Sequence, residues 1–189
     1  LLITAAPAAA CVTAAAHVGG LRASDEAGNY EYYRTVAPNL VEMIVDLGGG
    51  LKTEHLLAHG VYLVDVYDTE NGAVLADTRY VTGDNVSVDA MPLPTPNSEW
   101  VANVTMGTSS GTFPEEQTHT WGARAEVELS GCNYTTIPGT IRYESDGDWF
   151  VEDMLYLPAL GIGVLTAFTD EISGRTDYPR LMSLEALVN

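Results

Sequence analysis

Residues 61–81 read VYLVDVYDTENGAVLADTRYV, and the reading of this stretch decides the fold. Val61 to Tyr67 is dense in β-branched and aromatic residues, which suit a pleated, half-buried surface. Asn71-Gly72 offers two residues that tolerate positive φ, the requirement of a tight hairpin turn. Val74 to Val81 then returns as a second strand. The stretch therefore reads as two antiparallel strands.

The same pattern recurs on both sides. In LVEMIVDL, residues 40–47, Val41, Met43, Val45 and Leu47 make one wholly apolar face, while Leu40, Glu42, Ile44 and Asp46 make a mixed one. Period two of this kind marks a strand with one buried face. Gly48-Gly49-Gly50 ends it, because three glycines favour neither helix nor strand. TIRYESDGDWFVEDMLYL, residues 140–157, reads as another hairpin turning at Asp146-Gly147, and LGIGVLTAF, residues 160–168, as a further strand. In LPALG, proline withholds a ladder donor and glycine frees the backbone, so a strand breaks and re-enters there. MPLPTPNSEW, residues 91–100, holds three of the nine prolines and reads as an extended loop crossing between parts of a sheet. Trp100–Met106, Thr118–Leu129 and Arg180–Val188 complete the strands, although LMSLEALV also fits a short helix. About nine to eleven strands at this spacing imply an all-β fold with minor helix. A curved antiparallel meander sheet or open barrel closes such a chain, with a pocket at its mouth or concave face.

The first sixteen residues, LLITAAPAAACVTAAA, carry no charge. A short apolar start followed by small residues is the pattern of a secretory signal, and Ala8-Ala9-Ala10 or Ala14-Ala15-Ala16 would suit the peptidase. The stretch is too short and too alanine-rich for a membrane span. An alanine-rich helix packed on the domain is the competing reading. The expected organisation is a signal segment at 1–16, a flexible entrance at 17–29 and one β-rich domain at 30–189; the mature chain after cleavage, about 170 residues, suits a single domain. Cys11 also ends a small-small-Cys sequence of the kind acylated in bacterial lipoproteins. Cleavage after Ala10 keeps both cysteines and allows a Cys11–Cys132 disulfide; cleavage after Ala16 leaves Cys132 alone.

The chain has 8 Lys plus Arg against 26 Asp plus Glu, a formal net charge of −18. Phosphate backbones and anionic membrane surfaces need clustered cations, so nucleic acid and acidic lipid are disfavoured as partners. No catalytic motif stands out. His55-Leu-Leu-Ala-His59 lacks the Glu that must follow the first His of a zinc protease helix, and strand histidines four apart sit about 13 Å from each other. The acidic hairpin tips around Asp68 and Asp146 miss the calcium-loop register, and turn chemistry accounts for them. No G-x-S-x-G occurs, and Cys132 has no neighbouring cation to lower its pKa. Neither a metal nor a cofactor is expected. Ten tyrosines and three tryptophans remain. On a concave sheet Tyr32, Tyr62, Tyr67, Tyr143 and Trp149 are candidate ligand-facing residues by type, and they are equally ordinary strand residues.

GCNYTTIPGTIRY, an acidic hairpin and MLYLPALGIGVLTAF follow one another, with Cys132, Tyr134, Pro138, Tyr156, Pro158, Leu160 and Gly161 as fixed points. YRTVAPNLVEM and LLAHGVYLVD add support. In this order, across roughly residues 30–170, the chain resembles an uncharacterised family of exported β-rich proteins of marine alphaproteobacteria. It is loosely similar in style to periplasmic lipoprotein-carrier domains, which wrap a curved sheet around an apolar hollow. The resemblance implies no catalytic residue. The expectation is a periplasmic or secreted envelope protein, probed further as a possible lipoprotein through Cys11. It would be non-enzymatic and bind a small apolar or amphipathic ligand or an envelope protein. A hydrolase with a site assembled from distant strands, and a purely structural or interaction module, are the alternatives.

Overall fold

The structure is a computed structural model that describes residues 11–15, 19–83 and 86–187. Residues 1–10 and 16–18 of the proposed leader and entrance, and Val188 of the last proposed strand, lie outside the described residues.

Fourteen strands form one antiparallel sheet. They are β1 Leu21–Asp25, β2 Tyr30–Ala37, β3 Leu40–Gly48, β4 Leu51–Ala58, β5 Tyr62–Glu70, β6 Ala73–Thr82, β7 Glu99–Thr108, β8 Gly111–Trp121, β9 Ala125–Leu129, β10 Cys132–Ser145, β11 Asp148–Leu157, β12 Ile162–Asp170, β13 Gly174–Asp177 and β14 Leu181–Ala186. The sheet order is β13-β12-β11-β10-β8-β7-β6-β5-β4-β3-β2-β1-β14, with β9 paired to the first half of β10. The chain is thus a meander, as the hairpin signals imply. Asn71 and Asp146 take positive φ at the two anticipated turns, and Gly48, Gly49 and Gly50 all do so between β3 and β4.

One link departs from the meander. β13 and β14 lie at opposite ends of the sheet yet are joined by residues 178–180 alone. Four Cα steps span at most about 15 Å, so the two ends must approach and the sheet must curl into an open barrel. The backbone N–H of Tyr178 donates to Thr166 at 2.9 Å, and that of Glu26 to Arg180 at 2.9 Å, which ties the connector to both ends. Register shifts at Leu56/Leu57 and Asp153/Met154 add bulges, which bend and twist the strands that carry them.

Three points differ from the sequence expectation. LRASD, inside the proposed flexible entrance, is strand β1 and pairs on both sides, with Leu21 fully buried. Two apolar residues are too few for a periodic signal, and the flanking strands supply what propensity does not. The proline-rich loop joins β6 and β7, which are neighbours in the sheet, and does not cross it. Those strands pair only from Tyr80 to Thr82, opposite Met106–Thr108, where β7 runs out into its turn to β8. The strand expected over Thr118–Leu129 is interrupted at residues 122–124, so that β8 and β9 follow one another along the same partner, β10. LMSLEALV is a strand through Ala186.

The barrel is filled at one end. Leu21, Tyr33, Val41, Leu157, Leu160, Ile162, Leu181 and Leu184 pack there with Leu129 and Tyr134. The turns at residues 58–61 and 157–161 cross over this end. A Cβ on Gly60 would lie 2.0 Å from the Gly161 carbonyl, and Gly60 has φ +71°, so only glycine permits the approach. Val12 joins the same core: its N–H donates to the Tyr134 hydroxyl at 3.0 Å. Cys11 is bonded to Cys132, with Cα atoms 5.7 Å apart and a sequence separation of 121.

A crosslink over so long a loop removes much of the unfolded chain's freedom. The Cys11→Ser/Cys132→Ser variant should lose about 2–4 kcal/mol in urea denaturation relative to the oxidised protein. An unchanged midpoint would mean that the segment around Cys11 contributes nothing to the folded state.

Candidate functional site

Opposite the filled end the barrel is hollow. The cavity measures about 670 Å³, within the range of about 300–1,000 Å³ typical of ligand pockets. Strand parity builds it. One row of inward residues runs Ala23, Glu31, Val45 and Thr53 across β1–β4, and the next runs Tyr33, Met43, His55 and Val66 across β2–β5. The apolar face read from LVEMIVDL is this wall: Met43, Val45 and Leu47 line the cavity, and Val41 sits in the core below. Leu57, Val61 and Leu63 continue the lining, and Tyr143, Glu152, Met154, Val164 and Leu165 form the far side. Gly163 keeps the floor low, since a Cβ there would meet Val61 at 2.9 Å and Met154 at 3.1 Å. The mouth carries Asp25, Asn29, Tyr30, Asp46, Tyr178 and Pro179.

Three titratable groups interrupt the apolar lining. The Tyr33 hydroxyl donates to Glu31 at 2.5 Å, and the Tyr143 hydroxyl donates to Glu152 at 2.9 Å. Burial pushes both glutamates above the usual carboxylate range, and the tyrosine hydrogen bonds only partly offset it. Both residues are half-buried and line the cavity. His55 is pushed down to about 4 by burial, so it is neutral near pH 7, and its buried Nδ1 has no hydrogen-bond partner among the described residues.

A polar line continues into the interior on β8. Glu115, Gln117 and His119 are all buried. Gln117 Nε2 donates to Glu115 at 2.8 Å, and the His119 ring lies 3.3 Å from Gln117 Oε1. Burial raises the Glu115 pKa and lowers that of His119 to about 4. The His119 ring stacks on Trp100 at 4.9 Å and meets Tyr62 edge-on at 4.8 Å. This line braces the wall between β8, β10 and β11 and does not reach the cavity lining.

Among the five aromatic candidates, Tyr143 lines the cavity. Tyr62 is buried among Trp100, His119 and other core residues. Tyr67 bonds Glu54 at 3.2 Å under the Arg79 guanidinium, and Trp149 lies beneath Arg142 at 4.6 Å; neither is part of the lining. Tyr32 also lies off the lining, of opposite parity to Glu31 and Tyr33. The structure therefore does not gather these five residues. Glu31 was not singled out from the sequence; His55 was weighed there only as half of a zinc pair and Glu152 only as one acid of a crowded hairpin, although a signal for its inward face existed. Glu152 shares strand parity with Phe150, Met154 and Tyr156, a polar residue on an otherwise apolar face. His55 and His59 do not share a site: His59 sits in a turn, its Nε2 3.0 Å from the Met91 carbonyl.

The outer face carries charge. Arg22–Glu185, Arg34–Glu42, Arg79–Asp65, Arg142–Glu144 and Arg175 with Asp153 and Asp177 pair there. Apolar inside and charged outside is the reverse of a transmembrane barrel. No helix among the described residues is long and apolar enough to cross a membrane.

No family model and no curated protein matches the chain. Among solved structures, the hypothetical lipoprotein YmcC from Escherichia coli (K12) is similar over 88% of this chain and 86% of its own, at 9% identity and a TM-score of 0.48.

The neutral histidines make stability pH-dependent. Unfolding returns His55 from about 4 to its ordinary value near 6.5, so the unfolded chain takes up a proton first as pH falls. Their contribution is complete above pH ~6.5 and declines between ~6.5 and ~4. In urea denaturation, His55→Gln should shrink the loss of stability between pH 7.5 and 5 by about 1–2 kcal/mol. An equal loss in variant and parent would show that His55 titrates normally in the fold.

Proposed function

We propose that this protein is an exported, non-enzymatic envelope protein that holds an apolar or amphipathic ligand in the hollow of its curled sheet. The observation that carries the reading is the cavity itself: a large, open-mouthed space walled by Met, Val and Leu side chains from six strands. A folded chain fills such a space unless something else occupies it, because unfilled apolar lining forfeits dispersion contacts. The few polar groups inside are fixed by hydrogen bonds, the arrangement expected where they orient a ligand. A filled structural module would have no such hollow. The cysteine route to a hydrolase is closed in this form, since the Cys132 sulfur is bonded to Cys11.

The disulfide also supports export, because such bonds persist in oxidising compartments. It favours cleavage of the leader after Ala10, which keeps Cys11 and the buried Val12. Acylation of Cys11 would consume the same sulfur, so the disulfide and the lipid anchor exclude each other. Mass spectrometry of the protein recovered from its native envelope should show a chain starting at Cys11 and lacking two hydrogens, regained on reduction. An acyl adduct on Cys11 with a free Cys132 thiol would reverse this assignment in favour of an anchored form.

The apolar fluorophore N-phenylnaphthylamine tests the cavity directly. Its fluorescence should rise on binding, and Met43→Trp or Val45→Trp should weaken that binding tenfold or more by filling the space. Val74→Trp, on an exposed site of β6, should leave it unchanged. Equal binding by all four proteins, each with intact far-ultraviolet dichroism, would rule the cavity out.

A further inference from the structure

The charge inside the hollow is of one sign. Asp25, Glu31, Asp46 and Glu152 are part of the lining and mouth, and no Lys or Arg is. The eight cations of the chain are Arg22, Arg34, Lys52, Arg79, Arg124, Arg142, Arg175 and Arg180. Five of them are held in ion pairs away from the lining. Composition alone does not explain the asymmetry. An acidic surface costs little, but a glutamate turned into an apolar hollow loses hydration and needs compensation. Here the compensation is incomplete. Among the described residues each of Glu31 and Glu152 takes one hydrogen bond, from a tyrosine hydroxyl, although a carboxylate can accept several. Glu31 approaches the cavity from β2 and Glu152 from β11, so the two acids face it from different walls. Neutral His55 adds no positive charge between them.

Resting on the proposed ligand-binding role, we infer that the cavity selects amphiphiles whose polar end is a protonated amine and rejects those ending in carboxylate or phosphate. The alkyl part lies against Met43, Val45, Met154 and Val164, and the ammonium supplies the counter-charge that the fold withholds from Glu31 and Glu152. An anionic end would enter past Asp25 and Asp46 and meet two more acids with no cation to receive it. An uncharged end takes the middle place, with hydrogen bonds but no charge pairing.

The test displaces N-phenylnaphthylamine with three amphiphiles of equal chain length: dodecylammonium, dodecyl maltoside and dodecanoate. Each is used below its micelle concentration at pH 7.5 and about 0.5 M salt, where attraction to exposed charge is largely screened. Dodecylammonium should compete at least tenfold better than dodecanoate. The ratio should fall to about threefold or less in Glu31→Gln/Glu152→Gln, and persist in Glu171→Gln, which alters an exposed hairpin tip. Dodecanoate competing as well as dodecylammonium would overturn the selectivity and leave the ligand-binding role standing. A ratio that Glu171→Gln reduces as much as the double variant would assign it to surface charge and also overturn it. Displacement by none of the three would remove the binding role and the selectivity with it. If the double variant fails to fold, the single Glu31→Gln variant carries the same comparison.

Discussion

Three residues between β13 and β14 constrain the whole molecule. These strands are the two ends of a thirteen-strand path, and residues 178–180 are all that separates them in the chain. A flat twisted sheet of that breadth could not bring its ends so near. The sheet therefore curls, and its inward face encloses volume. About eight strands make a barrel that side chains can just fill, so a wider one leaves room to spare. Here large residues such as Tyr33, Leu157 and Ile162 close one half, and the other half stays open. The hollow thus follows from strand number and a short connector, before any question of what it holds.

Holding polar groups in such an interior is costly, and the fold divides the cost between two arrangements. On β8, Glu115, Gln117 and His119 share one strand face, and Gln117 links the other two. That line is almost self-sufficient, with no partner for His119 Nδ1 among the described residues. Glu31 and Glu152 instead lean on single tyrosine hydroxyls and belong to the cavity lining. Burial raises the pKa of all three glutamates, and their surroundings differ in another respect. The difference is one of access: the β8 line stiffens a wall, and the other two acids are available to whatever enters.

Local signals were legible wherever the chain turns on itself. Asn71-Gly72, Asp146-Gly147 and the triple glycine each sit where positive φ is needed, so the meander could be read from residues alone. Strand β1 was not legible, because Leu21 and Ala23 acquire meaning only between β2 and β14, and β14 lies about 160 residues away. Parity limited the reading of the site. A tyrosine or tryptophan reveals its type in sequence, but which face points inward depends on register, and one step reverses it. Trp149 and Phe150 are adjacent; Trp149 lies under Arg142, and Phe150 stacks on the cavity residue Tyr143 at 4.3 Å. The glutamates were hidden for another reason. Among 26 acids, apolar residues two positions away on both sides mark Glu152, between Phe150 and Met154, but they mark Glu42, Asp65 and Asp153 as well, which pair with arginines outside, so the pattern alone does not tell the inward acid from the outward ones.

The two ends of the barrel divide the labour. The segment at Cys11–Val12 packs on the filled end, through the bond to Cys132 and the hydrogen bond to Tyr134. The crossing turns around Gly60 and Gly161 close the same end with backbone against backbone. Movement there would disturb buried contacts of several strands at once. The opposite end is bounded by the turn at residues 26–29, the triple glycine and the 178–180 connector, where exposed residues such as Asp46 and Leu47 border the hollow. Exposed turns of this kind open at low free energy, whereas a packed core resists. A ligand of the proposed kind would therefore enter and leave at the open end. The covalent tie at the other end fastens the segment around Cys11 to the start of β10, over the filled core.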